Sequence, residues 1–95
     1  MSMNTTLNYS PNFDIKKRKP NQIKFIIFHY TGMKKESEAI MRLTSNKSKV
    51  SSHYLIKNNG EIVVMVPELY EAWHAGISSW KNLKSLNKHS IGIEI

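Results

Sequence analysis

The chain has 95 residues, 40% of them apolar and 22% charged, which suits one small globular domain and excludes wholesale disorder. It contains no cysteine, so disulfides, thiolate zinc ligands and a cysteine nucleophile are excluded. The net charge of +7 favours polyanionic partners such as nucleic acid, anionic lipid or cell-wall polymers, although surplus lysine also serves solubility.

Residues 1–22 are polar and predict an irregular basic arm leading into the fold. They include the run Lys16-Lys17-Arg18-Lys19, which could contact phosphates. No aromatic or glycine pattern accompanies the run, so a solvated arm is the simpler interpretation.

Nothing in the sequence indicates targeting or membrane insertion. The stretch from Met1 to Pro20 lacks the apolar core of a secretory signal. No segment approaches the ~18 apolar residues that a membrane helix needs. We therefore predict a cytoplasmic location with no membrane span.

The first regular elements are predicted from apolar patterning. Ile23 to Tyr30, IKFIIFHY, is apolar on both faces and predicts an interior strand covered on both sides. Ser37 to Asn46 has apolar residues at helical spacing and predicts a short amphipathic helix.

A hairpin, a long loop and a last strand are predicted next. Two strand-like runs, His53–Lys57 and Glu61–Val66, flank an Asn-Gly turn signal. Residues 68–89 predict a loop, and Ser90–Ile95 predicts a strand with isoleucines on one face. This order predicts an α/β or α+β fold with a mixed β-sheet, and of the two we predict α/β with the sheet flanked by helices. Because the sequence given stops inside that strand, we expect the N-terminal half of a domain only.

Two residues stand where strand ends commonly build sites. His29 ends the first strand and is either a satisfied core histidine or a metal ligand. Glu94 faces away from the isoleucines of the last strand. It is either solvated at a sheet edge or placed in a cleft, because an unpaired buried carboxylate costs several kcal/mol.

A third candidate is the loop that carries Trp73 and His74. An aromatic plate beside an imidazole, with small neighbours, can line a pocket for an amide or a sugar. Trp73 and Trp80 could equally anchor the long loop to the core.

Four ordered blocks resemble the zinc-dependent N-acetylmuramoyl-L-alanine amidases of the amidase-2 family, which are related to phage T7-type lysozyme and peptidoglycan recognition proteins. The blocks are FIIFHYTG (25–32), VSSHYLIKNNGEIVVMVPE (50–68), AWHAGISSW (72–80) and LNKHSIGIEI (86–95). The resemblance is strongest to AmpD/AmiD-like members. It implies that residues 23–95 form the N-terminal portion of such a domain, with a peptidoglycan or anhydromuropeptide substrate.

The resemblance also implies roles for individual residues. His29 matches the first zinc ligand and Glu94 matches the catalytic acidic residue. Trp73 and His74 match a segment that lines the substrate groove, and Asn87 matches a position that supports that segment. His53 and His89 match no ligand position, and we interpret His53 as mainly structural.

The family's other zinc ligands and an oxyanion-binding lysine fall beyond Glu94, so only one Zn²⁺ ligand is matched here. A catalytic zinc needs three protein ligands and an open water position. The resemblance thus implies an amidase, inactive as this truncated chain unless a complementing C-terminal segment supplies the rest. The alternatives are a non-catalytic muropeptide-binding module and a decayed or split gene fragment. A nucleic-acid binder rests on charge alone, and we expect no nucleic-acid partner.

Overall fold

A mixed five-stranded sheet forms the centre of the structure, a computed structural model that describes residues 4–75, 79–80 and 83–95, with the backbone alone at residues 79–80 and 83–84. The elements are β1 (Thr5–Leu7), β2 (Phe13–Asp14), β3 (Phe25–His29), α1 (Glu36–Thr44), β4 (Tyr54–Ile56), β5 (Ile62–Val64), β6 (Glu71–Ala72), β7 (Ser79–Trp80), β8 (Leu83–Lys84) and β9 (Ser90–Glu94), with 3₁₀ turns at Pro20–Gln22 and Leu86–His89.

The strand order in the main sheet is β1-β5-β4-β9-β3. β9 runs parallel to both β3 and β4, β4 and β5 are antiparallel, and β1 is parallel to β5. The predicted α/β class with a mixed sheet is confirmed.

The β4–β5 hairpin follows the turn signal in the sequence. Gly60 has φ of 88°, a conformation that glycine adopts without steric cost. The Gly60 amide donates to the carbonyl of Lys57 at 2.9 Å, and the Lys57 amide donates to the carbonyl of Glu61 at 2.9 Å. The hairpin prediction is confirmed, with each strand shorter than predicted.

Helix α1 packs on one face of the sheet and closes a small apolar core. Its first turn carries Glu36 and Glu38 and its last turn Arg42, an arrangement that suits the helix dipole. The buried apolar residues of this core are Ala39, Leu43, Leu55, Val63 and Met65. The predicted helix at 37–46 is therefore confirmed, two residues shorter at its C-terminal end.

The prediction that β3 is an interior strand covered on both faces is wrong. β3 lies at the edge of the sheet, paired with β9. On its outer face Ile26 is 62% exposed and Phe28 is 61% exposed. A continuous apolar run predicts burial only where other elements cover both faces. In the described part of the chain, α1 covers one side of the sheet and this outer face of β3 remains accessible.

Within residues 4–22, the described part of the N-terminal segment is not an irregular solvated arm. β1 extends the main sheet, and β2 pairs with β6. The Asn12 side chain is 2% exposed and donates to the carbonyls of Ser45 and Val50 at 2.7 and 2.8 Å. The division of the chain into residues 1–22 and 23–95 as separate units stays a prediction.

Arg18 differs from its lysine neighbours in being buried. Its Nη1 donates to the carbonyls of Asn87 and Ser90 at 3.0 and 2.7 Å, and its Nη2 donates to the carbonyl of Glu68. A guanidinium can serve several acceptors at once from one planar fork, which an ammonium group cannot do in the same geometry. Arg18 therefore ties the N-terminal segment to the start of β9.

The predicted loop at 68–89 contains short regular elements. β6 pairs with β2, β7 pairs with β8, and a 3₁₀ turn precedes β9. Such two-residue strands carry too little pattern to be recognised in the sequence. Among the described residues, no helix has both the length and the apolar character required to cross a bilayer.

The exposed outer face of β3 predicts self-association, because an apolar edge strand offers both unpaired backbone groups and apolar surface. We expect the double variant Ile26→Thr/Phe28→Thr to remain monomeric at higher concentration than the unmodified chain in sedimentation velocity. Threonine preserves strand propensity, so the fold should persist.

Met41→Gln is the matched control, since Met41 is 68% exposed on α1, away from the sheet edge. It should leave the association unchanged. Equal association of the double variant and the unmodified chain would contradict the assignment of the adhesive surface.

Candidate active site

The parallel register of β3 and β9 brings His29 and Glu94 side by side. His29 is the partner of Glu94 in this ladder, and Ile27 is the partner of Gly92. Directly paired residues on neighbouring strands project from the same face of a sheet. The two residues predicted as site residues from separate blocks of sequence are therefore neighbours on the face that α1 covers in part.

His74 joins this pair from the loop after β6. Its Nδ1 lies 2.9 Å from Nε2 of His29, and its Nε2 lies 3.0 Å from Oγ of Ser90. The imidazole rests on Gly92, where an added Cβ would stand 2.5 Å from Cγ of His74. A side chain at position 92 would therefore displace the His74 ring.

Asn87 holds the backbone of the His74 segment. Its Oδ1 accepts hydrogen bonds from the amides of His74 and Ala75 at 3.1 and 2.7 Å. These contacts are those that a supporting residue needs. Its part in substrate binding stays a prediction.

Trp73 is partly buried and is tied to the N-terminal segment. Its Nε1 donates to Oδ1 of Asp14 at 3.1 Å, and its amide donates to Oγ of Ser51 at 2.9 Å. The groove-lining role predicted for Trp73 and His74 is a prediction still. The side chain of Trp80 lies outside the described part of the structure.

His53 is fully buried next to β9. Its Nδ1 accepts from the amide of Gly92 at 3.0 Å, so its Nε2–H donates to the carbonyl of Tyr70 at 2.7 Å. Burial lowers the pKa of His53 from 6.5 to about 4, with the Tyr70 carbonyl opposing and the Arg18 charge adding to the shift. These contacts agree with the structural interpretation of His53.

Burial also shifts the ionisation of His74 and Glu94. It lowers the pKa of His74 to about 3, and the neighbouring charges of His29, His53 and Arg18 act in the same direction. Burial raises the pKa of Glu94, while the positive charges of His29 and Arg42 oppose the rise. A carboxyl whose pKa is raised in a cleft is suited to exchange protons with a substrate.

The described residues do not complete a metal centre. Within residues 4–75, 79–80 and 83–95, no group of three or more His, Asp or Glu side chains could hold a metal ion. His89 contacts the carbonyl of Gln22 through Nδ1 at 3.1 Å, away from His29. His29 offers imidazole, a normal zinc donor, but its described neighbours do not supply a ligand set.

Sequence reasoning missed Ser90, Gly92 and Arg18 as parts of this region. Ser90 and Gly92 had a usable signal, since two small residues alternate with isoleucines on one face of β9 and leave room above the strand. Arg18 had a weaker signal, as a single arginine within a run of lysines.

The Asn87 contacts predict a difference between two substitutions. Asn87→Ala leaves the amides of His74 and Ala75 without their acceptor, which should lower the free energy of unfolding by about 1–3 kcal/mol. Asn87→Asp keeps an acceptor oxygen in place and should lose less. Urea unfolding measures both, and equal losses would show that the side-chain oxygen is not what supports the loop.

The burial of His53 predicts acid sensitivity. Its folded-state pKa lies below the unfolded value, so the unfolded chain binds the extra proton more readily. The stabilisation is present above about pH 6.5 and is lost as the pH falls towards 4, in total roughly 3 kcal/mol from His53. The shift of His74 acts in the same direction.

The free energy of unfolding between pH 7 and pH 4 should therefore fall more steeply in the unmodified chain than in His53→Gln. An NMR titration of the unmodified chain gives a second measurement, in which the His53 imidazole should remain neutral at about pH 5. A His53 that protonates near pH 6.5 in the folded chain would refute the prediction.

Comparison with known proteins identifies the family to which the chain belongs. The amidase-2 profile, described as N-acetylmuramoyl-L-alanine amidase, matches residues 19–95. The N-acetylmuramoyl-L-alanine amidase AmiD of Escherichia coli K12 is 42% identical over 81 residues, covering 78% of this chain. The chain spans only 28% of the length of that relative.

Two solved structures show the same fold. A crystal structure of AmpD superposes on 99% of this chain and 62% of its own, with a TM-score of 0.76 and 27% identity. A complex of E. coli AmiD with anhydro-N-acetylmuramic acid-L-Ala-D-γ-Glu-L-Lys superposes on 77% of this chain and 30% of its own, with a TM-score of 0.67 and 42% identity. The family profile, the curated relative and the fold agree, and the chain belongs to the N-acetylmuramoyl-L-alanine amidases of the amidase-2 family.

Proposed function

We propose that this chain carries the His29 and Glu94 part of an amidase site that hydrolyses the amide between the lactyl group of N-acetylmuramic acid and L-alanine. The observation that carries the proposal is the register of β3 and β9, which sets the two residues side by side at the end of the sheet. The substrate class is supported by the anhydromuropeptide bound in the similar AmiD structure.

In the proposed reaction Glu94 handles the proton. Its carboxylate accepts a proton from the attacking water and passes it to the leaving amine of L-alanine. Burial, which raises the pKa of Glu94, brings its proton affinity closer to that needed for exchange near neutral pH. Arg42 of α1 lines the same cleft as Glu94.

The proposal includes zinc, with His29 as one protein ligand. The other ligands would have to come from residues outside those described here, because the described residues hold no three-residue cluster. We therefore propose that turnover requires a complementing C-terminal segment, and that this chain by itself is inactive. The cytoplasmic location and the lack of a nucleic-acid partner stay predictions.

A second candidate is a muropeptide-binding module without catalysis. The incomplete ligand set among the described residues favours it. Binding of the muropeptide without turnover or stoichiometric zinc, with or without a complementing segment, would support this candidate. Failure of the chain to fold at all would favour a decayed gene fragment.

The test measures zinc content and peptide release in the same samples, with anhydro-N-acetylmuramic acid-L-Ala-D-γ-Glu-L-Lys as substrate. We expect the chain mixed with the C-terminal remainder of an AmpD-type amidase to bind zinc and release L-alanyl peptide. His29→Ala should lower both readouts. Glu94→Gln should retain zinc and lose about 10²–10⁴-fold in rate, since it preserves shape and removes basicity.

His89→Gln is the matched control, because His89 contacts Gln22 and lies away from His29. It should retain both zinc and rate. Near-full activity of Glu94→Gln would refute the role of Glu94. Stoichiometric zinc and turnover by the unaided chain would refute the need for a complementing segment.

A further inference from the structure

We propose that His74 is a positioning residue, which fixes the tautomer and orientation of His29 so that Nδ1 of His29 carries the free lone pair. The assignment of His29 as a zinc ligand rests on the proposed function. The tautomer itself rests only on contacts among described residues.

The direction of the hydrogen bonds is set at Ser90. Its Oγ lies 2.7 Å from the carbonyl oxygen of Leu86, which can only accept, so the single hydroxyl proton of Ser90 is donated there. The contact of Ser90 Oγ with Nε2 of His74 at 3.0 Å must then be donated by His74. This places the proton of the His74 imidazole on Nε2.

The same reasoning passes from His74 to His29. A neutral imidazole with its proton on Nε2 has an acceptor at Nδ1. Nδ1 of His74 lies 2.9 Å from Nε2 of His29, so His29 donates from Nε2. A neutral His29 that carries its proton on Nε2 keeps the lone pair on Nδ1.

The opposite direction of these hydrogen bonds is disfavoured at Ser90. If His74 donated from Nδ1, its Nε2 would need the hydroxyl proton of Ser90. The Ser90 oxygen would then face the Leu86 carbonyl oxygen at 2.7 Å with no proton between them. Two acceptors at that distance repel each other, so the first arrangement is favoured.

His74 is itself held in place by two restraints. Gly92 provides the flat surface on which its ring lies, and Asn87 fixes its backbone through the amides of His74 and Ala75. A histidine that binds a metal through one nitrogen commonly donates from the other to a fixed acceptor, which orients the ring and raises its basicity. Here the fixed acceptor is a second imidazole.

The experiment reads the tautomers directly. In the chain labelled with ¹⁵N-histidine, at about pH 8, long-range ¹H–¹⁵N correlation spectra distinguish protonated from unprotonated ring nitrogens. We expect Nε2 protonated and Nδ1 bare in His29, and the same in His74. A bare Nε2 in His29 of the unmodified chain would overturn the proposal without any variant.

Three variants separate positioning from a general structural role. His74→Phe keeps a ring but removes the acceptor, and should leave His29 as a mixture of tautomers. His74→Asn keeps an acceptor oxygen near the position of Nδ1 and should restore the single tautomer. His89→Phe is the control and should change nothing at His29. An unchanged His29 tautomer in His74→Phe, with backbone spectra showing a folded chain, would overturn the proposal.

If His74→Phe does not fold, Ser90→Ala tests the same proposal. It removes the acceptor for Nε2–H of His74, so the tautomers of His74 and then His29 should become mixed, and unchanged tautomers would overturn the proposal. These readouts need no zinc and no turnover. A failed amidase assay beside the expected tautomers would therefore reject the proposed function alone.

Discussion

The missing side chain at Gly92 is the constraint on which the site depends. Its bare Cα lets the imidazole of His74 lie against β9, at a distance that even a methyl group would prevent. The backbone of the same residue is fully used, since its amide donates to Nδ1 of His53 and its carbonyl accepts from the His53 amide and from Oγ of Ser52. One residue thus joins β9, the residues before β4 and the loop after β6.

The two ends of the sheet face are stabilised by different interactions. Near α1 the core is apolar and small, built around Leu55, Val63 and Leu43. Around Gly92 the buried groups are polar, and Ser52, His53 and Ser90 all have hydrogen-bond partners. Buried polar groups of this kind add little net stability when paired and cost much when one partner is lost. The region around Gly92 is therefore well defined in geometry and sensitive to single substitutions.

The edge position of β3 links the proposed function to the exposed apolar surface. His29 ends an edge strand whose neighbours Ile26 and Phe28 face outward. A segment that supplied further ligands to His29 would approach at this same edge of the sheet. Because His29 projects from the face that α1 covers in part, whereas Ile26 and Phe28 project from the opposite face, completing the site and covering the apolar surface would require contacts on both sides of β3. The AmpD structure matches 99% of this chain, whereas this chain matches 62% of the AmpD structure.

The local elements and the identity of the key residues could be read from the sequence, because both depend on short-range pattern. Helical spacing predicted α1, and the Asn-Gly turn predicted the β4–β5 hairpin, since turn geometry is set by the backbone freedom of one or two residues. Alternation placed Glu94 opposite the isoleucines of β9. The resemblance in four blocks pointed to His29 and Glu94 as partners in one site.

Contacts between distant segments decided the features that the sequence pattern does not encode. The apolar run of β3 predicted an interior strand, but strand order, which depends on long-range pairing, placed it at the edge. Arg18 differs from its lysine neighbours in the sequence only as the single arginine of the run, and its burial is decided by the carbonyls of Glu68, Asn87 and Ser90, to which it donates. Only the tertiary structure brings His74 onto Gly92 and into contact with His29, because these residues lie far apart in the sequence. The direction of the hydrogen bond between the two imidazoles is defined only once both partners are in place.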